Sequence, residues 1–244
     1  NEKLLEFFYI FSTYLDDEFT TSDRGLSITI KDTTKKWKDL TKEERSFKDV
    51  EKGLLGELWF LENLIKCIGQ EGIKDWRGSD GDRHDFRLEN EEFEIKTTSG
   101  NERVHYISSI NQLEPSVDCN LTLISIQIAP SRSSKNSLSV NKLKKRIESQ
   151  ISSEDYLSLF HLKLKDYIND DLLVVEKMKT NYVLGAEPMY MNVDDSFPRI
   201  SYQEYTELKS HERISDIKYR LNVEGLGEPC GGSQFKKLLK KKGI

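Results

Sequence analysis

The chain has 244 residues, 36% of them hydrophobic, which is enough to bury one large core or two small ones. Its formal net charge is −5, with 37 Lys and Arg against 42 Asp and Glu, so the composition excludes a global basic field as the means of binding nucleic acid. The three cysteines are widely separated and lack zinc-like spacing, which argues against a structural zinc or a disulfide framework.

The first quarter of the chain predicts two helices separated by a strand and a polar region. Residues 2–19 carry apolar side chains between charged ends and predict an amphipathic helix without a signal cleavage site or the length to span a membrane. We therefore expect a soluble, cytoplasmic protein with no membrane partner. Residues 26–30 alternate with a period of two and predict a strand, and residues 31–48 predict a loop with helical pieces. A long helix is predicted over residues 49–68, ended by Gly69.

The remaining elements mix strands and helices. A hairpin is predicted at 84–98, strands at 104–108, 121–128, 182–193 and 214–223, and helices from Asn136 or Ser137 to Ile151, at 154–168 and at 233–242. The apolar run 121–128 is typical of a buried central strand. This order predicts a single α/β domain over residues 1–244, with additions at 1–48 and 170–244.

The predicted hairpin carries two carboxylates and a lysine. On a strand, Glu94 and Lys96 share one face, and the intervening apolar Ile95 turns to the other. Phosphodiester hydrolysis needs an activated water, neutralised phosphate charge and help for the leaving oxygen. Asp85, Glu94 and the Ile95 carbonyl are candidate Mg²⁺ ligands, and Lys96 would orient water and stabilise the phosphate. The alternative is the wet face of an exposed hairpin, with charges paired in a surface network.

Glu57 on the preceding helix lies within an apolar arc. At 100° per residue, its side chain projects between those of Leu64 and Ile68. A carboxylate buried there needs a partner, for which Lys96 or a metal-bound water is suitable. The alternative is a glutamate at the margin of the arc that reaches solvent with its long side chain.

These features form part of a wider pattern of five segments. The segments are Gly53-Leu54-Leu55-Gly56-Glu57-Leu58, Trp76-Arg77-Gly78, His84-Asp85-Phe86, Glu94-Ile95-Lys96-Thr97-Thr98 and Ile107-Ser108-Ser109-Ile110-Asn111-Gln112-Leu113. Together they resemble a bacterial family of PD-(D/E)XK nucleases, in a superfamily that includes many restriction endonucleases. The resemblance covers about residues 50–150.

The resemblance implies a restriction-endonuclease-like fold, a mixed central sheet flanked by helices. It implies that Asp85 and Glu94 are metal ligands, Lys96 the catalytic lysine, and Glu57 an acidic residue supplied by the first core helix. Gln112 belongs to a recurring Gln-Leu pair, whose role is either in the site or simply that of a polar residue at the start of a helix.

Two departures from the pattern bear on the first acidic position. His84 stands where the superfamily motif has proline, which the chemistry does not require. Asp80 and Asp82 compete with Asp85, but they lie among glycines and serine, whereas Asp85 is followed by an alternating strand. We therefore assign the position to Asp85.

The resulting hypothesis is a Mg²⁺-dependent DNA endonuclease of a restriction or phage-defence system, with Mn²⁺ as a substitute ion and a homodimer or other defence subunits as expected partners. The alternatives are a non-catalytic DNA-binding or assembly subunit and a structure-specific repair nuclease. Two basic clusters, either phosphate contacts or solvated helix faces, are Lys142, Lys144, Lys145 and Arg146, and then Lys236, Lys237, Lys240, Lys241 and Lys242.

Overall fold

The fold is known from a computed structural model that divides the chain into two compact units, Asn1–Val50 and Glu51–Ile244. It describes residues 12, 26–78, 82–133, 135–168, 175, 177–209, 211–214 and 217–240, with residues 26–46 described by their backbone alone. The predicted helix at 2–19 falls outside these residues, apart from Ser12. Apart from residues 26–50, all the structure discussed below belongs to the second unit.

Helix α1 runs from Leu26 to Ile68. It ends as predicted at Gly69, whose φ of 84° is a left-handed value that favours glycine. The strand predicted at 26–30 and the loop predicted at 31–48 are wrong, because both segments are helical. Five alternating residues are too few to separate a strand from a helix, and the Lys, Glu and Arg residues that follow have good helix propensity.

The main sheet is mixed, as expected. Its strands are β1 (Phe86–Leu88), β2 (Glu91–Thr98), β4 (Asn120–Pro130), β5 (Tyr182–Leu184), β6 (Met189–Asn192) and β8 (Glu228–Pro229); β3 (Val104–Ile107) and β7 (Tyr219–Asn222) form a separate ribbon. The order across the sheet is β1-β2-β4-β6-β8, and β5 pairs with the end of β4. Strands β2 and β4 are parallel, whereas the other pairs are antiparallel. Strands from the expected C-terminal addition therefore complete the sheet.

The predicted hairpin and buried central strand are both confirmed. Strand β1 pairs with β2 through a tight turn, and β4 lies between β2 and β6 with residues 121–126 and Ile128 buried. A strand covered on both faces has no polar face to show, which is why β4 reads as a continuous apolar run.

One face of the sheet packs against α1. An added Cβ at Gly56 would lie 2.0 Å from Thr97 Oγ1 and 3.3 Å from Ile95 Cγ2, so the helix backbone sits directly on this face. One turn further along α1, Phe60 packs against Phe86 and Phe93 with ring centroids 4.6 and 5.0 Å apart. The small residue at position 56 thus sets how closely α1 approaches β2.

The opposite face is covered by the ribbon of β3 and β7. A second apolar cluster fills the space between them, with Leu121 and Leu123 from the sheet, Ile107 from β3, Leu221 from β7 and Leu113 from the connection that follows β3. Glu94 and Lys96 lie on this face of β2, in register with Leu123 and Ser125. Their face is consequently buried rather than wet.

The later helices are α2 (Val140–Glu148), α3 (Glu154–Tyr167), α4 (Tyr202–Glu207) and α5 (Ser233–Leu239). Ser139 caps α2 by accepting a hydrogen bond from Lys142 N, so the caps predicted at Asn136 and Ser137 are wrong. Ser137 instead donates its hydroxyl to Asn181 Oδ1. Among the described residues, every helix is too short or too polar to cross a lipid bilayer.

Candidate active site

Asp85 lies where the β1–β2 ladder ends. It immediately precedes β1, and its Oδ2 accepts a hydrogen bond of 2.7 Å from Ile95 N. The carboxylate therefore bonds β2 at the position just before the first residue of β1, where a further strand residue would otherwise pair. Because the N–H and C=O of one strand residue face the same neighbour, the Ile95 carbonyl is directed to the same edge as Asp85.

On the adjacent strand, the buried Glu94 forms an ion pair with the half-buried Lys96. The Glu94 side chain is 3% exposed, and its Oε1 lies 2.7 Å from Lys96 Nζ. Lys96 Nζ also donates to Gln112 Oε1 at 3.1 Å, while the same oxygen accepts from Ser108 N at 3.0 Å. The alternative of an exposed hairpin with a wet face is thereby excluded. Gln112 therefore combines the two roles considered for it, since it lies in a short 3₁₀ helix and its side chain also contacts Lys96.

Glu57 approaches the site from α1. It is 5% exposed, so the alternative in which its side chain reaches solvent is wrong. Trp76 Nε1 donates to its Oε2 at 2.7 Å, and the Tyr167 hydroxyl donates to its Oε1 at 2.8 Å. These two donors are not the partners that the sequence analysis expected for Glu57, which were Lys96 or a metal-bound water.

The absence of a side chain at Gly78 leaves room for the carboxylates of both Glu57 and Asp85. A Cβ at this position would lie 2.3 Å from Glu57 Oε2 and 3.4 Å from Asp85 Oδ1. Any larger residue at 78 would displace the glutamate, which explains the need for glycine after Trp76 and Arg77. The two carboxylate oxygens consequently face the same small volume.

Burial and mutual repulsion make the three carboxylates hard to ionise. Burial, followed by the charge of Asp85, raises the pKa of Glu57 well above its ordinary value and raises the pKa of Glu94 to about 8. Burial also raises the pKa of Asp85, although Lys96 and the Ile95 amide oppose the shift. These shifts show that Glu57, Asp85 and Glu94 share one electrostatic environment.

Lys96 is the cation of this environment. Burial acts to lower its pKa, but the charges of Glu94 and Asp85 outweigh burial and raise the pKa above its ordinary value. With all groups ionised, three carboxylates and one ammonium leave an excess of two negative charges. A divalent cation would neutralise that excess.

A neutral histidine lies on the far side of Lys96. Burial, followed by the charges of Lys96 and Arg103, lowers the pKa of His105 to about 4. Its Nε2 lies 2.8 Å from Ser125 Oγ, which also accepts from Arg103 at 3.2 Å. Because Ser125 is the register partner of Lys96, this network supports the strand position that carries the lysine.

The donor set fits a hard divalent ion. Carboxylate and carbonyl oxygens are the ligands that Mg²⁺ and Mn²⁺ prefer, and Asp85, Glu94 and Ile95 supply both kinds. Within the described part of the chain, no three His, Cys, Asp or Glu side chains already have the arrangement of a finished metal site. The fit therefore rests on donor chemistry and on the excess of negative charge.

Asp82 and Asp80 are the competing candidates for the first acidic position. Asp82 is exposed, and Asp80 lies outside the described residues. His84, which occupies the proline position of the motif, is buried with its Nδ1 3.2 Å from Glu92 Oε2. The assignment of this position to Asp85, whose carboxylate bonds Ile95 N, stays a prediction.

Sequence reasoning missed the two donors to Glu57. Trp76 lies in one of the segments that carry the family resemblance, whereas Tyr167 lies outside all of them. A signal for the second existed, because Lys163 interrupts the apolar face that Phe160 and Leu164 give to α3. A charged residue on such a face indicates a polar site beneath it.

The predicted basic clusters have different surroundings. On α2, Arg146 is 2.7 Å from Glu62 of α1, and Lys144 is 3.5 Å from Glu148, so part of this cluster joins elements of the fold. On α5, Lys236 and Lys237 are exposed, as is Lys240 just beyond it; Lys241 and Lys242 lie outside the described residues.

The mixed central sheet flanked by helices is consistent with the fold of a PD-(D/E)XK-type protein. The model of one family, described as "Putative PD-(D/E)XK family member, (DUF4420)", matches residues 2–224. Because the match covers most of the sequence, the chain belongs to this family, and the expected family and fold are confirmed. No curated protein and no solved structure matches the chain significantly. Family membership supports a nuclease-like function, and divalent metals are general in PD-(D/E)XK proteins.

Proposed function

We propose that the protein is a divalent-metal-dependent deoxyribonuclease that cleaves phosphodiester bonds within DNA. The observation that carries this proposal is the convergence of Glu57, Asp85, Glu94 and Lys96 in one largely buried, acidic site. Three carboxylates that repel one another are costly to a fold unless a cation joins them. Membership of a PD-(D/E)XK family supports the same reading.

Each residue has a distinct task in the proposed reaction. Asp85, Glu94 and the Ile95 carbonyl would hold Mg²⁺ or Mn²⁺, and Glu57 would add negative charge at the edge of the site. A bound ion supplies electrophilic activation of the phosphate and acidifies a water. The raised pKa of Lys96 keeps its ammonium protonated at neutral pH, so it would orient water and stabilise phosphate charge rather than act as a base.

The biological setting that we propose is a cytoplasmic restriction or phage-defence system. The support is the family's place among PD-(D/E)XK proteins. The net charge of −5 means that DNA would be held by local cations, for which the exposed lysines of α5 are candidates. Cleavage of both strands would favour a homodimer or a complex with other subunits.

A cleavage assay tests the proposal. The purified protein is incubated with supercoiled, linear and single-stranded DNA in Mg²⁺, in Mn²⁺ and in EDTA. We expect metal-dependent cleavage that Lys96→Met lowers by about 10²–10³-fold, because the lysine stabilises charge in the transition state. Lys66→Met is the matched control, since Lys66 pairs with Glu62 at 2.9 Å on the surface of α1.

The outcomes separate the alternatives. Cleavage that is equal in Lys96→Met and in the wild type would place the activity elsewhere or in a contaminant. DNA binding without cleavage under any metal condition would favour a non-catalytic subunit of a defence complex. Cleavage confined to branched or flapped DNA would favour a repair nuclease.

A further inference from the structure

Helix α3 presents one face to the site, although it lies outside the segments that carry the family resemblance. Phe160, Lys163 and Tyr167 recur at helical spacing on this face. The ring centroids of Phe160 and Tyr167 lie 6.3 and 6.1 Å from that of Trp76. Lys163 Nζ donates to the Trp76 carbonyl at 2.5 Å. Helix α3 therefore fixes the segment that supplies one of the two donors to Glu57.

The other donor comes from α3 itself. Tyr167 and Trp76 each bond a different oxygen of Glu57, at 2.8 and 2.7 Å. Glu57 has three rotatable side-chain bonds and is repelled by Asp85 and Glu94, so an unsupported carboxylate would turn away from them. The two hydrogen bonds hold it in place against this repulsion.

The chemistry of these donors matters as much as their position. Five residues further along the same helix, Glu62 is held by Lys66 at 2.9 Å and by Arg146 at 2.7 Å, which cancel its charge. The phenol and indole that hold Glu57 are neutral, so they fix the carboxylate and leave its charge for a cation. A Cβ added at nearby Gly53 would lie 3.2 Å from the Tyr167 hydroxyl, so the glycine leaves room for this arrangement.

We propose that Tyr167 is a positioning residue that, together with Trp76, holds Glu57 towards Asp85 and thereby sets the affinity of the site for a divalent cation. This inference rests on the proposed function, because it requires the acidic site to bind a metal. Groups that orient the ligands and charges of a metal site typically change metal affinity by 10–100-fold when they are removed.

Mn²⁺ binding to the full chain, measured by titration calorimetry and by electron paramagnetic resonance, tests the inference without reference to activity. We expect Tyr167→Phe, which deletes one hydroxyl, to weaken Mn²⁺ binding by about tenfold. Tyr182→Phe is the matched control, since the Tyr182 hydroxyl bonds another buried carboxylate, Glu51 Oε2, at 3.3 Å. This control should retain wild-type Mn²⁺ affinity.

A double-mutant cycle distinguishes positioning from a general loss of structure. If Tyr167 acts through Glu57, Tyr167→Phe should have no further effect on Mn²⁺ affinity in a Glu57→Gln background. Equal loss in both backgrounds would overturn the inference, as would wild-type Mn²⁺ affinity in folded Tyr167→Phe or failure of the wild type to bind Mn²⁺. DNA cleavage is scored separately, so Mn²⁺ binding without cleavage would refute the nuclease proposal alone.

Discussion

Glu92 and Glu94 lie two residues apart on the same face of β2, yet their surroundings are opposite. Glu92 accepts a hydrogen bond of 2.9 Å from Ser116 N and lies 3.6 Å from Arg87 NH1. Burial acts to raise its pKa, but the Ser116 bonds, His84 and Arg87 outweigh burial and lower it. Glu94 shares its site with other carboxylates, and burial followed by Asp85 raises its pKa to about 8.

This contrast shows that the position of a carboxylate on a strand does not by itself determine its chemical role. Both glutamates are 3% exposed, so burial alone does not separate them. Glu92 meets donors that satisfy it, which makes it part of the structure. Glu94 meets like charges and a single lysine, which makes it part of a site that a cation would complete.

The largest expected difference between Glu92 and Glu94 is in the effect of their substitution on DNA cleavage. We expect Glu94→Gln to lower DNA cleavage by about 10²–10³-fold, because it removes a proposed metal ligand and its charge. Glu92→Gln should retain cleavage within about threefold of the wild type when both are fully folded. The measurement is initial cleavage rate in Mg²⁺, and a comparable loss in Glu92→Gln would break the distinction.

Stability should separate them in the reverse direction. Glu92→Gln removes the charge that Ser116 N and Arg87 require and should lower the free energy of unfolding by about 1–3 kcal/mol. Glu94→Gln removes one of three mutually repelling carboxylates, and Asp85 still offsets the charge of Lys96, so this variant should not lower the stability of the metal-free protein at pH 8. Urea unfolding with EDTA present measures both variants, and a larger loss for Glu94→Gln would contradict this interpretation.

The smallest expected difference between the two glutamates is in the pH dependence of protein stability. Unfolded Glu94 releases its proton near pH 4.5, whereas folded Glu94 keeps it until about pH 8, so the folded protein binds more protons between these values. Its stability should therefore fall as the pH rises through this window. The window from pH 6.5 to 8 is the cleanest, because His105, with its pKa lowered to about 4, acts in the opposite direction below pH 6.5.

Thermal unfolding of the metal-free protein checks this dependence. The unfolding midpoint should fall by a few degrees from pH 6.5 to 8 in the wild type, less steeply in Glu94→Gln, and as in the wild type in Glu92→Gln. Added Mn²⁺ should raise the midpoint more at pH 8 than at pH 6.5, because ionised carboxylates bind it better. Equal slopes in the wild type and Glu94→Gln would show that Glu94 does not carry the dependence.

Local pattern was sufficient for the hairpin, the central strand and the candidate carboxylates. Glu94 and Lys96 follow from strand alternation, and Glu57 stands out because a helix places it in an apolar arc. The strand predicted at 26–30 failed because short alternation does not exclude a helix. The contact between Tyr167 and Glu57 joins residues 110 positions apart, beyond the reach of any local pattern.

The family, the mixed α/β architecture and the candidate acids and lysine are predictable from the sequence, because they depend on residue type and on short-range spacing. The fold was needed to see that Glu92 has its hydrogen-bond partners while Glu94 is crowded by like charges, and that neutral donors hold Glu57. The reason is physical: burial and the distances between charges set a pKa, and both arise when distant segments pack together.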